Sequence, residues 1–277
     1  MKKINRLLNQ LIASDSILYY YLIKIYYRWK PEFIDINEVL LNYDKIKGDV
    51  FFIQIGANEG KMDDPIYHFV TEKGWKGVLI EPVKFIFDKL VRNYNNYSSQ
   101  LFFENVAISR TEGKQMFYYL RKKEGFDIPF WAEELGSFNK DVILKHKMYI
   151  PQIEELIVEE DVPITTISAL QLKYNISGPD LLMIDTEGYD FEIIKSYPFS
   201  VCKPPLLIYE NKHLGNICHK QSLVFLRNWG YKLFAFEGDT LAVQENYLAK
   251  NPNLVKGVTR KFERQRVIKM LRFNNSH

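Results

Sequence analysis

FFIQIGANEGKMDDP, residues 51–65, is the stretch on which the reading of the whole chain turns. With the two residues before it, DVFFIQIG (49–56) is an almost wholly apolar run, the composition of a strand buried on both faces of a parallel sheet. The run stops at Gly56, Gly60 follows, and Asn58 stands where a dinucleotide fingerprint would carry its middle glycine. Asp64 then Pro65 read as a helix N-cap and a first-turn proline, where the missing N–H costs nothing. Ile66, Phe69 and Val70 give that helix one apolar face, and Gly74 closes it.

The strand–loop–helix unit then repeats. GVLIEP (77–82) is a strand ending in Glu81, VKFIFDKLVRNY (83–94) a helix and LFFENVAI (101–108) a third strand. RTEG (110–113) turns the chain, so KQMFYYL (114–120) is expected to pair back as an antiparallel strand. Residues 121–160, rich in aromatics and charges, break the alternation; so long a segment between strands reads as a lid or substrate-binding insertion. The alternation resumes with VPITTI (162–167) extended, SALQLKY (168–174) helical and PDLLMIDTEGYD (179–190) a central strand running into an acidic loop. After a short helix, FEIIKSY, come the strand PPLLIYENKH (204–213) and the helix KQSLVFLRNWG (220–230). YKLFAFEGDTLAVQ (231–244) reads as two strands around Glu237–Gly238–Asp239. The expected fold is α/β: a doubly wound, mostly parallel twisted sheet with helices on both faces, finishing in an antiparallel hairpin.

Composition agrees with a globular chain of 277 residues, 47% hydrophobic and 15% aromatic. The formal net charge of +3 is uneven: from Lys256 onward seven Lys/Arg face Glu263 alone, a net of +6, which leaves −3 for the rest. That tail suits either a solvated last helix or contact with an anionic surface. The start, MKKINRLLNQLIA, has an apolar run interrupted by Asn9 and Gln10 and reads against a signal peptide. ILYYYLIKIYYRWK (17–30) is too short to span a bilayer and carries Lys24; it suits a packed or interfacial helix. Cys202 and Cys218 make neither a disulfide framework nor a zinc site and read as small buried thiols in a reducing, cytoplasmic compartment, with peripheral membrane contact through the basic ends as the alternative.

In an open α/β sheet the ligand lies outside the carboxyl ends of the strands. Here those ends are Gly56–Gly60, Glu81–Pro82, Glu104–Ala107, Asp185–Asp190 and Glu210–His213, and they are acidic. A P-loop is excluded: GANEGKM is one residue short and has Met62 where a hydroxyl should meet magnesium. A dinucleotide fits better, because Glu81 lies twenty-five residues after Gly56 at a strand end, where an acid would bind ribose. Yet Asn58 gives up the close approach to a pyrophosphate, and Glu59 adds negative charge beside it. S-adenosylmethionine needs the glycine turn and the ribose acid but no pyrophosphate site. Its ammonium and sulfonium are cationic, so an acidic rim attracts it.

QIGANEG, a strand ending in EP, NVAIS, VPITTISAL, LLMIDTEGYDFEI and LLIYEN, in that order over about residues 49–245, resemble the FkbM family of class I S-adenosylmethionine-dependent methyltransferases. The resemblance implies a Rossmann-like methyltransferase fold with a seven-stranded sheet, O-methylation, and a small or carbohydrate-like acceptor such as a glycan or glycoside. It divides the chain into an N-terminal helical extension (1–45), a methyltransferase domain (46–250) holding the insertion, and a basic tail (251–277). The family pattern more often has Asp where Gln54 stands, which removes a carboxylate near the methionine amine.

On this reading Gly56, Ala57, Asn58 and Gly60 cradle the amino-acid end of the cofactor, Glu81 accepts the ribose hydroxyls, and Asn105 and Val106 line the adenine. Asp185 serves the ammonium or the acceptor. Methyl transfer to oxygen calls for a general base, and Asp185, Glu187, Glu210 and His213 are the candidates. The same carboxylates with Asn211 would also suit Mg2+, although a metal-free site is the preferred reading. In the insertion, Ser137, Phe138, Lys140 and His146 are placed to cover the cofactor or grip a polar acceptor, and Phe130 and Trp131 to stack on a sugar or aromatic ring. His68, His146 and His219 show no ligand spacing. Nucleic acid is not expected as substrate, since the basic residues lie in the tail rather than around the pocket. The alternatives are a dinucleotide-dependent oxidoreductase on the same sheet, and a non-enzymatic membrane- or partner-binding module working through the basic ends.

Overall fold

The computed structural model describes residues 32–62, 64–236 and 238–256. The stretch 17–30 and the basic tail from residue 257 onward, on which the membrane reading rests, lie outside the described residues.

The elements run in order: β1 (Glu32–Phe33), α1 (Ile36–Lys47), β2 (Phe51–Ile55), α2 (Tyr67–Lys73), β3 (Lys76–Ile80), α3 (Lys84–Asn93), β4 (Leu101–Glu104), β5 (Ala107–Ile108), β6 (Gly113–Leu120), β7 (Gly136–Ser137), α4 (Lys140–Leu144) and α5 (Ile153–Leu156). Then follow β8 (Ile157–Thr165), α6 (Ile167–Lys173), β9 (Leu181–Ile184), α7 (Asp190–Ser196), β10 (Leu206–Glu210), α8 (Asn216–Asn228), β11 (Tyr231–Phe236), β12 (Asp239–Gln244) and α9 (Glu245–Lys250). The main sheet has the order β11-β12-β10-β9-β2-β3-β4, seven strands, with the two-residue β1 added at the β11 edge. All are parallel except β12, which returns antiparallel from β11 and inserts between β11 and β10. This is the expected doubly wound sheet with its terminal hairpin.

Alternation along the apolar strands builds a core on each face. Phe52, Leu79, Leu181, Met183, Leu206 and Ile208 pack with α1, α2 and α3. Their neighbours Ile53, Val78, Ile80, Leu182, Ile184 and Leu207 pack with α6, α7 and α8. Asp35 caps α1 through Asn37 and Glu38, and the buried Val39, Leu40 and Tyr43 hold that helix to the sheet. Fully buried Trp75 stacks on Phe69 at 4.5 Å and donates its indole N–H to Asp44 at 2.7 Å, so one side chain ties α1, α2 and β3 together.

Three local expectations are corrected. The stretch 101–108 is not one strand: β4 ends at Glu104, where Asn105 donates its side-chain amide to the carbonyls of Glu81 and Pro82, and β5 leaves the main sheet. KQMFYYL (β6) does not pair back onto that strand; it lies antiparallel to β8 in a separate four-stranded sheet, β5-β8-β6-β7. VPIT (162–165) accordingly ends β8, with Val162 and Ile164 buried against Val83, Ile86, Phe117 and Tyr119, while Thr166 caps α6 and Ile167 begins it. Of the cysteines, Cys202 is half-buried beside the Tyr197 hydroxyl at 3.1 Å, but Cys218 is exposed on α8. Residues 121–156 carry a small core of their own, Ala132, Leu135, Ile143, Ile150, Ile153 and Leu156. Among the described residues no helix is long and apolar enough to cross a membrane.

Trp75→Ala would open a large cavity and strand the Asp44 carboxylate. A loss of about 3–5 kcal/mol is expected, read as a lowered urea midpoint with an unchanged slope.

Candidate active site

The strand order reverses between β2 and β9, and their carboxyl ends meet there. Gly56 makes that meeting possible. It sits at φ +78°, and a Cβ on it would lie 1.7 Å from the Asp185 carbonyl oxygen. The amides of Gly56 and Ala57 both donate to the Ile80 carbonyl, at 3.0 and 2.9 Å, which pins the loop to β3. Asn58 adopts φ +49°, a left-handed conformation that Asn tolerates, and its Oδ1 accepts the Glu59 amide at 2.7 Å. Glu59 accepts from the Met62 amide and the Asn93 side chain, so its charge is drawn back towards α3. Gly60, at φ +70°, packs where a Cβ would strike Leu90 and Tyr94.

Glu81 follows β3 and is 7% exposed. Its Oε1 accepts the Val83 amide at 2.8 Å and its Oε2 the Asn58 amide at 3.1 Å. Burial raises its pKa to about 7 in spite of those two bonds. It lines a cleft that is partly open to solvent. Gly56, Asn58, Val106, Asp185 and Glu187 line the same cleft. Phe138 and Gly136 of the insertion also line it, with Glu133 and Glu134. Of the remaining residues assigned to cofactor binding, Ala57, Gly60 and Asn105 shape the loop and the strand ends rather than face the cleft.

Beyond β9 the chain forms an acidic turn. Asp190 is fully buried at the start of α7, and its carboxylate accepts the amides of Gly188 and Thr186, at 3.2 and 3.4 Å. Glu187 is held at φ +52° and Gly188 at +96°. Ser137 of the insertion donates to the Glu187 carbonyl at 3.1 Å. Glu187 Oε2 lies 3.1 Å from His213 Nε2, and Glu210 Oε1 lies 3.7 Å from the same nitrogen. The four catalytic candidates therefore converge, although only Asp185 and Glu187 face the cleft, with Glu210 and His213 behind Glu187. Desolvation raises Glu187 to about 8 and Glu210 to about 10, each helped by neighbouring carboxylates. Asp185 is exposed where it opens onto the cleft; the protein around it still raises its carboxyl to about 6 through desolvation, with Lys212 opposing. His213 is pushed down to about 4 by burial and by Lys212, so it is neutral at pH 7.

Sequence reasoning missed two participants. Asp64, read only as a helix cap, accepts from Gln54 Nε2 at 3.3 Å and adds its field to that on Asp185. Asp190 organises the whole acidic turn; a short acid two residues after a glycine, able to take back the turn's amides, was the available signal. His146, named among the insertion residues that would cover the cofactor or grip an acceptor, lies with its ring 5.7 Å from that of His213, a proximity that no spacing reveals. Lys140, conversely, is engaged by Glu159 on β8 at 2.6 Å. Trp131 packs edgewise against His146 and Tyr149, and Phe130 is 71% exposed.

The Methyltransferase FkbM domain model matches residues 54–233, and the chain belongs to the FkbM methyltransferase family. The family decides for methyl transfer over the hydride-transfer alternative. No match was found among curated proteins. Solved structures similar to the chain include an FkbM methyltransferase from Methylobacillus flagellatus KT, at 15% identity and TM-score 0.42 over 71% of this chain and 44% of that one. The chain thus spans less than half of that protein's length. An O-methyltransferase from Bacillus cereus in complex with SAH matches at 11% identity and TM-score 0.39, over 77% of this chain and 83% of that one. The Methanococcus jannaschii fibrillarin pre-rRNA processing protein matches at 10% and 0.38, over 72% and 68%. These likenesses are distant; the class rests on the family match and the topology.

The residues fit the sulfonium cofactor that this class implies. Carboxylates of Glu81, Asp185 and Glu187 surround one cleft, all raised by burial, and a cationic guest relieves what raises them. A carboxyl whose folded pKa is raised from 4.5 to about 7 binds its proton more tightly when folded. Its contribution to stability is full below the unfolded pKa and is lost as pH rises through the folded one. Glu81→Gln should therefore flatten the fall in unfolding free energy between about pH 4.5 and 7, by roughly 1–3 kcal/mol, measured by urea unfolding at the two ends of that window.

Proposed function

We propose that the protein is an S-adenosylmethionine-dependent O-methyltransferase acting on a hydroxyl of a small or carbohydrate-like acceptor. One observation carries the reading: the Glu81 carboxylate, held by two backbone amides, faces the same cleft as Asp185 and Glu187. Each Glu81 oxygen spends one lone pair on an amide and keeps another for a ribose hydroxyl. The Gly56–Asn58 backbone holds the amino-acid end, Val106 and the apolar wall beside it take the adenine, and Asp185 offsets positive charge.

The bound cofactor supplies a methyl group activated by a positively charged sulfur. The chain must orient the acceptor oxygen in line with it and assist loss of the hydroxyl proton. Asp185 and Glu187 line the cleft for that purpose, and the neutral His213 stands behind Glu187, its Nε2 3.1 Å from that carboxylate. Phe138 and the Glu133–Glu134 pair form the wall nearest the insertion, a polar-and-aromatic lining suited to a ring bearing hydroxyls.

Calorimetry with S-adenosylhomocysteine is the direct test. Saturable binding is expected, weakened at least tenfold by Glu81→Ala, about 1.4 kcal/mol or more; no heat and no thermal shift at high ligand would remove the reading. His213→Ala should leave that affinity within a factor of about three while turnover falls roughly 10^2–10^4-fold. Incubation with cofactor and candidate glycosides, followed by mass spectrometry for the gain of one methyl, identifies the acceptor.

A further inference from the structure

Behind the cleft wall, Glu210 and His213, which the cofactor-binding argument does not use, form a group with Glu187 of the lining. Each offers one ligand atom, and these atoms lie within 4.8 Å of one another. Donors about 2.0–2.4 Å from a single ion stand no more than about 4–5 Å apart, so the span is that of a coordination shell. Two further observations separate the group from an ordinary acidic surface. Oε2 of Glu187 and Oε2 of Glu210 are both buried, and neither has a hydrogen-bond partner. The 3.1 Å approach of His213 Nε2 to Glu187 Oε2 therefore lacks the alignment of a hydrogen bond. The His213 side chain is itself only 9% exposed, with Nε2 turned to both carboxylates.

Buried carboxylate oxygens left without donors are costly unless something cationic meets them. The field of Lys212 reaches Glu187, and none of the ion pairs formed by Glu187 or Glu210 among the described residues involves it. The backbone keeps the donors together: Glu187 is fixed in a left-handed turn by Asp190 and Ser137, and Glu210 ends β10 three residues before His213.

We infer that Glu187, Glu210 and His213 bind a divalent transition-metal cation, of the Mn2+ or Zn2+ class, at the inner end of the cleft. The donor set selects the class. Two carboxylates alone would favour Mg2+ or Ca2+, whereas an imidazole nitrogen beside them favours a cation of intermediate softness. Glu187 also lines the cleft, so an ion at this place has a face towards the acceptor side. Within the methyl-transfer reading, on which this role rests, the ion lowers the pKa of the acceptor hydroxyl, and Asp185, outside the ligand set, is left to take the proton.

The test uses the full chain, stripped with chelator, and titrates Mn2+ alone and Zn2+ alone by calorimetry, with no cofactor or acceptor present. One saturable site is expected for at least one of the two ions, weakened at least tenfold by Glu210→Gln and by His213→Ala and unchanged by Glu154→Gln on the surface. Glu210→Gln is nearly isosteric, so it keeps the comparison valid if His213→Ala does not fold. Binding of neither ion to the wild type, or equal binding by wild type and Glu210→Gln, overturns the inference. S-adenosylhomocysteine binding is measured in a separate titration. Metal binding without it would leave the cation site standing and remove the methyl-transfer reading, and the converse result would do the reverse.

Discussion

The contact between Gly56 and the Asp185 carbonyl is the constraint on which the site depends. At 1.7 Å from an added Cβ, there is no room for any side chain, and the left-handed backbone disfavours one as well. The contact sets the ends of β2 and β9 side by side at the reversal of strand order. It thereby puts the glycine loop, with its amides on Ile80 and its Asn58 amide on Glu81, against the acidic turn that begins at Asp185. A shift of either strand would separate the two halves of the cleft.

The second governing feature is charge without compensation. Glu81, Asp185, Glu187, Asp190 and Glu210 all have raised pKa values, with desolvation the leading cause in each. Asp190 and Glu81 are satisfied by backbone amides, and their role is to fix loops as well as to carry charge. Glu187 and Glu210 have no such support. An interior arranged in this way favours cationic guests over anionic ones.

Much of this was legible in the sequence. The apolar runs at 51–55, 76–80, 181–184 and 206–210 announced a parallel sheet, because only strands covered on both faces are so uniformly apolar. Glu81 was found from its distance after Gly56, and the cluster of Asp185, Glu187, Glu210 and His213 from lying at strand ends. What was not legible depends on contacts distant in sequence. Nothing local distinguishes a strand that pairs back onto the main sheet from one that begins a second sheet, as β6 does with β8. The register of Asn105 against Glu81 and Pro82, which ends β4, is set by a neighbouring strand. His146 reaches His213 only because the insertion folds over the sheet.

The insertion has a hydrophobic core separate from those of the main sheet, and it lines the cleft through Glu133, Glu134, Gly136 and Phe138. Such a division makes the molecule modular. The segment between Arg121 and Leu156 touches the rest of the domain at points such as Ser137 on the Glu187 carbonyl and Glu133 beside Lys89. Substitutions confined to that unit's own core leave the packing on the two faces of the main sheet as it is.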